Sequence, residues 1–360
     1  MVRMTSGANA DATGDGRVGL LERLERGPVV CAEGYVFELE RRGYLQAGSY
    51  VPEVVLEHPE VVRQLHLDFV RAGSDVVETL TYYGHREKMR VIGKEDLLEP
   101  LNRQALAIAK EVALAEGALF AGDICNTNQF IQDDEKSAAA ARAMFEEQVG
   151  WAVEAGVDYV IAETFFFAEE ALIALEVVKS ASLPAVVTLA IHSEGMTFDG
   201  LTPAEACRRL EAAGADVVGL NCLRGPQTTL PLLREIRKAV SCHVAALPVP
   251  YRTTEEEPTF FALSDPRYDR PDGTRAFPDA LDGLACTRYE IADFGREAHE
   301  LGASYLGVCC GAGPHHIRSL AEALGRTPPA SRYSADMSKH AFLGTDPRVT
   351  PEYQEYGPKL

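Results

Sequence analysis

Short apolar, β-branched runs alternate with longer amphipathic stretches along most of the chain. The runs read "PVVCAEG" (Pro28–Gly34), "DVVETLTYY" (Asp75–Tyr83), "ALFAGDIC" (Ala118–Cys125), "DYVIAETF" (Asp158–Phe165), "PAVVTLAI" (Pro184–Ile191), "DVVGLNC" (Asp216–Cys222), "HVAALPVP" (His243–Pro250) and "YLGVCCG" (Tyr305–Gly311). Near-continuous apolar runs of this length suit parallel strands buried on both faces. Between them, "PEVVLEHPEVVRQLHLDFVRAG", "FEEQVGWAVEAG", "PAEACRRLEAAGA" and "DFGREAHELGA" place apolar residues at helical spacing and carry a glycine near the end. Glycine there tolerates the left-handed turn that closes a helix.

Eight such units in succession predict an α/β fold, a (β/α)8 TIM barrel over residues 17–326, of about the usual barrel length with insertions. A doubly wound open sheet is the rival topology. The number of units, and the lack of a G-x-G-x-x-G after the first run, favour the barrel. Residues 1–16 are small and polar and are expected to form a disordered tail. Residues 327–360, rich in proline, are expected to form an extended C-terminal tail that packs on the barrel or on a partner. The longest interruption, Tyr251 to Thr287, is rich in Pro, Asp and Glu; loops of that length are usually functional or disordered.

Composition narrows the function classes. Of the 360 residues, 46% are hydrophobic and 25% charged, as in a globular protein with ample core. A formal net charge of -19 argues against nucleic acid and against anionic membranes, both of which need a basic surface. No apolar run reaches the roughly 18 residues of a membrane-spanning helix, and the N-terminal stretch lacks a secretory core. Eight cysteines in this context predict a reducing, cytoplasmic location with free thiols or metal ligands.

In a barrel of this kind chemistry sits at the C-terminal ends of the strands. Those ends carry Cys31, Ala32 and Glu33; Thr81, Tyr82 and Tyr83; Asp123 and Cys125; Glu163 and Thr164; His192; Asn221 and Cys222; Pro248; and Cys309 with Cys310. Cys222, Cys309 and Cys310 then converge on one rim. Three thiolates with a fourth position open are the arrangement of a catalytic zinc, and sulfur ligands suit zinc over magnesium or calcium. The same cysteines also fit a buried apolar role, or a strained vicinal disulfide between Cys309 and Cys310. Cys31 and Cys125 read as core thiols. His192, His315 and His316 read as structural rather than ligating.

"GLNC" together with "GVCCG" and "PHHIRSLAEAL" resembles the zinc-dependent homocysteine S-methyltransferases, and among them the betaine-dependent enzymes. The likeness runs from about Leu20 to Ser338 and includes "VDYVIAETF" and "CTRYEIADFGREAHELG". It implies a (β/α)8 barrel with Zn2+ held by Cys222, Cys309 and Cys310. It further implies homocysteine bound through Glu163, with Glu33, Gly34 and Asn221 beside it. Two departures stand out. Ala32-Glu33 replaces the family's Asp-Gly pair, so that Glu33 would substitute for the missing acid. Tyr50 and Thr164 stand where the betaine enzymes carry Trp and Tyr.

The chemistry explains the residue types. A thiol attacks as its thiolate, and a free thiol has a pKa of about 8.5. Binding to zinc deprotonates it at neutral pH. An onium methyl donor offers no strong hydrogen-bond donor and is recognised by aromatic faces. Tyr83, Tyr82, Tyr50, Tyr35 and Phe165 are the candidate cage. The expectation is methyl transfer from glycine betaine to homocysteine, giving methionine and dimethylglycine. Dimethylsulfoniopropionate, S-methylmethionine, another betaine or another thiol acceptor are alternatives within that chemistry. A non-catalytic zinc- or thiol-binding barrel is the alternative outside it. The partners are small molecules, with no nucleic acid and no membrane, and a homo-oligomer is expected.

Overall fold

A computed structural model of the chain describes residues 18–265, 267 and 275–360; the predicted N-terminal tail lies outside them, as does part of the Tyr251–Thr287 loop. All eight apolar runs form strands: β1 (Val29–Ala32), β2 (Val76–Glu78), β3 (Leu119–Cys125), β4 (Tyr159–Phe165), β5 (Ala185–Leu189), β6 (Val217–Asn221), β7 (His243–Leu247) and β8 (Tyr305–Val308). They pair in parallel in the order β1-β8-β7-β6-β5-β4-β3-β2, with helices outside. This is the predicted (β/α)8 barrel, nearly closed. The seam between β1 and β2 is bridged where Asp75 N–H donates to the Val30 carbonyl (2.8 Å) and the Asp75 carboxylate accepts from Val30 N–H (2.8 Å).

The seam uses a device that the chain repeats. "AGSD", "AGVD" and "AGAD" each end a helix and start a strand. The glycines Gly73, Gly156 and Gly214 take the left-handed turn. The aspartates Asp75, Asp158 and Asp216 then accept a main-chain N–H of the neighbouring strand, from Val30, Phe120 and Ala185, each at 2.8 Å. Each carboxylate therefore sets the register at the start of a strand pair.

Side chains alternate across each strand. Val30, Val77, Phe120, Val160, Val187 and Val218 face the helix layer. Val29, Leu119, Tyr159, Val186, Val217 and Tyr305 fill the lumen, where Tyr159 and Tyr305 share a hydroxyl hydrogen bond of 2.9 Å. Leu20 and Leu24 of the first helix (Leu20–Arg26) join this inner cluster at the foot of the barrel. The lumen is thus a packed, dry floor. Beyond Arg326 the chain runs in short turns, and Tyr333 lies under the Arg71 guanidinium (5.6 Å).

His66, in the helix Pro59–Ala72, is buried with neither ring nitrogen hydrogen-bonded, and burial pushes its pKa down to about 3. The folded protein refuses a proton that the unfolded chain accepts below about pH 6.5. Stability contributed by neutral His66 is therefore complete above that pH and is lost as pH falls toward 3. Replacing it, His66→Leu, is expected to flatten the acid limb by about 1.4 kcal/mol per pH unit between pH 4 and 6. Urea unfolding of both proteins across that range measures the difference.

Candidate active site

The inward parity that builds the floor continues to the mouth, where apolar residues give way to polar ones. Along β1 the inward series is Val29, Cys31 and then Glu33; along β3 it is Leu119, Ala121 and Asp123; along β4 it is Tyr159, Ile161 and Glu163. β6 ends its inward series on Asn221 and β8 leads into Cys309. The C-terminal mouth therefore collects acids and thiols above a hydrocarbon floor.

Cys222 follows β6, and Cys309 and Cys310 follow β8. Their sulfurs lie within 4.8 Å of one another. Cys222 and Cys309 are buried and Cys310 is partly so. Hydrogen bonds from Cys309 and Cys310 hold the Cys222 thiol well below its usual range. Burial pushes Cys309 up, and the contact with Cys222 pushes Cys310 up. Three sulfurs at this spacing match the donor set of a soft or borderline metal ion. Cys31 is buried against Glu78 (3.8 Å), and Cys125 accepts the Tyr83 N–H (3.3 Å). Cys207, Cys242 and Cys286 join none of the metal-competent groups among the described residues.

Beside the thiols stand Glu33, Glu163 and Asn221. The Asn221 amide donates to Thr164 Oγ1 (2.8 Å) and to Glu163, and reaches Glu33 at 3.3 Å; its oxygen accepts Thr164 N–H at 3.0 Å. Burial raises the Glu163 carboxyl to about 7, while Thr164 and Asn221 hold it down. Burial, then the Glu163 charge, push Glu33 well up. Gly34 is required by a close approach: a Cβ there would lie 2.3 Å from the Ala312 carbonyl oxygen, just beyond the paired cysteines. Gly311, at φ +96°, lets Arg41 donate to its carbonyl (2.9 Å) and to the Tyr251 hydroxyl (3.0 Å), which fixes the loop after Cys310.

The aromatic candidates divide. Tyr82 and Tyr83 pack together with ring centroids 4.2 Å apart, and the Lys88 ammonium sits 3.9 Å from the Tyr83 centroid. Tyr50 stacks on Phe37 at 5.6 Å. Tyr35 packs edge-on to His66 and Phe69 with its hydroxyl unpartnered, and lines the cavity that holds Glu33, Glu78 and Asp123. Phe165 does not reach the mouth. Thr164 takes φ +60° and the β4–β5 register slips between Ala162 and Phe165. That slip breaks the alternation and turns Phe165 outward onto Phe145 (5.9 Å). The expectation for Phe165 is corrected accordingly: it belongs to the helix-facing core.

Tyr50, Tyr83, Thr164 and Cys222 all have positive φ. Left-handed backbone costs a non-glycine residue on the order of 1–3 kcal/mol and concentrates at functional sites. Two acids of this mouth have no assigned role in the sequence reading. Asp123 stands at a strand end without one, and Glu78 lies within a strand run. The signal was an acid inside an apolar run, at the parity of residues that fill the lumen. His316 proves structural: its ring accepts Gly313 N–H (3.2 Å) and meets the Cys286 carbonyl (3.1 Å).

The nearly closed parallel barrel thus carries three thiols and several buried carboxyl groups at its C-terminal mouth. Residues 30–324 match the sequence model of the homocysteine S-methyltransferases. The chain belongs to that family and is an S-methyltransferase. It is 38% identical over 351 residues to the S-methylmethionine–homocysteine S-methyltransferase BHMT2 of Pongo abelii, covering 94% of this chain and 92% of that one. It is also 38% identical over 345 residues to betaine–homocysteine S-methyltransferase 1 of Xenopus tropicalis, covering 92% and 82%. The metallated homocysteine methyltransferase MmuM of Escherichia coli shares the fold, with a TM-score of 0.65 at 20% identity over 83% of this chain and 97% of that one.

Asn221 holds Thr164, Glu163 and Glu33 in one arrangement. Asn221→Ala leaves Glu163 without that donor and is expected to cost about 1–3 kcal/mol of stability. Chemical denaturation measures it.

Proposed function

We propose that the protein transfers a methyl group from an onium donor, glycine betaine in the first place, to the sulfur of homocysteine, giving methionine and dimethylglycine. The observation that carries this reading is the cluster of Cys222, Cys309 and Cys310 beside Glu163 and Asn221, within the family-matched span. The three cysteines would hold Zn2+, the borderline-soft ion their sulfurs suit. Bound there, zinc keeps the acceptor as a nucleophilic thiolate at neutral pH. Glu163, with Glu33 and the main chain at Gly34, orients the amino-acid end of the acceptor.

Tyr82, Tyr83 and Tyr50 would present aromatic faces to the onium group. Lys88 already places a cation on Tyr83. A donor that carries a carboxylate as well as an onium centre can pair with Lys88 while its methyl groups take the ring. The new S–C bond forms as the N–C bond breaks, and the electron pair stays on the donor nitrogen. Positive and negative charge cancel in the process, so a buried mouth favours transfer over solvation of the reactants. S-methylmethionine is the second reading. It rests on the relative named for that donor, as identical to this chain as the betaine enzyme.

No helix among the described residues is long and apolar enough to cross a membrane. The site needs all three thiols reduced, which supports a cytoplasmic setting. A homo-oligomer built through the C-terminal segment, which exposes Tyr333, Leu343 and Tyr353, belongs to the same reading.

Methionine formation from homocysteine, assayed with zinc across the onium donors, is expected to be fastest with glycine betaine; no turnover with any donor overturns the proposal. Cys310→Ala is expected to abolish turnover and to lower bound zinc below one equivalent by elemental analysis. Tyr83→Ala is expected to raise the donor KM about 2- to 30-fold while leaving homocysteine binding unchanged. Steady-state kinetics separate the two substrates.

A further inference from the structure

Below the family-matched contacts the barrel holds acids that the proposed reaction does not use. Glu78 ends β2, and Asp123 on β3 lies level with Ile161, one inward layer beneath Glu163. Carboxylate oxygens of Glu78, Asp123 and Glu163 lie within 4.8 Å of one another. Asp123 is only 5% exposed, yet neither of its carboxylate oxygens has a hydrogen-bond partner, and Glu33 Oε1 has none either. The neighbouring Thr81 hydroxyl is committed to the Asp123 main-chain oxygen at 2.8 Å. Glu78 has the Cys31 thiol at 3.8 Å, a weak donor, and shares a side-chain hydrogen bond with Glu163.

The cavity that these acids line is small, about 20 Å³, and opens beside Cys309 and Cys310; no Lys, Arg or His is among its lining residues. Burial, then the Glu163 charge, push Asp123 and Glu78 well above the usual carboxylate range. A buried carboxylate without a donor is costly, and several together are costlier, unless a cation joins them. An acceptor whose sulfur lies at the cysteines would extend its other end into this cavity. An ammonium group supplies the hydrogen-bond donors and the charge that the acids lack. A carboxylate in the same cavity would meet only like charge.

We propose that Asp123 and Glu78 seat the ammonium group of the thiol acceptor, in place of the acid missing at Ala32, so that the enzyme selects its acceptor by the amine rather than by the carboxylate. This rests on the methyl-transfer reading for the direction in which the acceptor lies. It assigns two specificity-determining residues and a ligand class: aminothiols, of which homocysteine is one.

Calorimetry on the full-length, zinc-loaded protein tests the assignment with three thiols: homocysteine, aminopropanethiol (homocysteine without its carboxylate) and sulfanylbutanoate (homocysteine without its amino group). The wild type is expected to bind the first two at least about tenfold more tightly than the third. Asp123→Asn is expected to weaken the two amines about 10- to 100-fold and to leave sulfanylbutanoate unchanged. Glu78→Gln is expected to act in the same direction. Ligand-free Asp123→Asn is expected to melt no lower than the wild type, because it removes a buried acid neither of whose oxygens has a donor.

Unchanged homocysteine affinity in both variants overturns the assignment, as does equal weakening of all three thiols. Manganese binding that Asp123→Asn abolishes while amine affinity persists overturns it in favour of a metal ion. Wild-type protein that binds aminopropanethiol through Asp123 but methylates no homocysteine leaves this inference standing and removes the methyl-transfer reading.

Discussion

Repulsion among buried acidic groups is the interaction around which this mouth is organised. Glu33, Glu78, Asp123 and Glu163 share one end of a barrel lumen with Cys222, Cys309 and Cys310. The floor beneath them is hydrocarbon and aromatic, so water cannot enter from below to dilute the field. These groups cannot all ionise together in so dry a space. The mouth is therefore poor ground for anions and good ground for cations. A metal ion at the sulfurs and an ammonium group at the carboxylates would both relieve the same strain.

The scaffold tolerates this because its stability is placed elsewhere. The aspartates of the repeated Ala-Gly-x-Asp turns clamp strand starts at the opposite end of the barrel. Valines and phenylalanines on the outward face lock sheet to helices. At the mouth, Tyr83, Thr164 and Cys222 leave the regular strand conformation. The Thr164 kink has a double effect. It offers Asn221 both a donor and an acceptor, and it rotates Phe165 out of the site.

The aromatic residues proposed for the donor are already engaged with neighbours of their own. Tyr82 and Tyr83 make one aromatic wall, and Tyr50 is committed to stacking on Phe37. Lys88 occupies the face of Tyr83 that an onium group would seek. An onium group gains less on that ring than on a bare aromatic face, because it displaces Lys88, and a donor that brings its own anion can pair with the displaced ammonium.

The amino-acid sequence by itself determined the eight strands, their order as βα units and the meeting of Cys222 with Cys309 and Cys310. Those follow from local patterning: apolar runs, helix stops and the rule that strand ends share one rim. The glutamate at position 163 was legible for the same reason. Only the tertiary structure decided which acids face one another, because parity holds only until a strand kinks. Phe165 shares the parity of Glu163, yet the bulge at Thr164 turned it outward. Glu78 and Asp123 lie in separate apolar runs, and nothing local places their carboxylates against Glu163. That depends on the stagger between β2, β3 and β4, a property of the closed barrel rather than of any one segment.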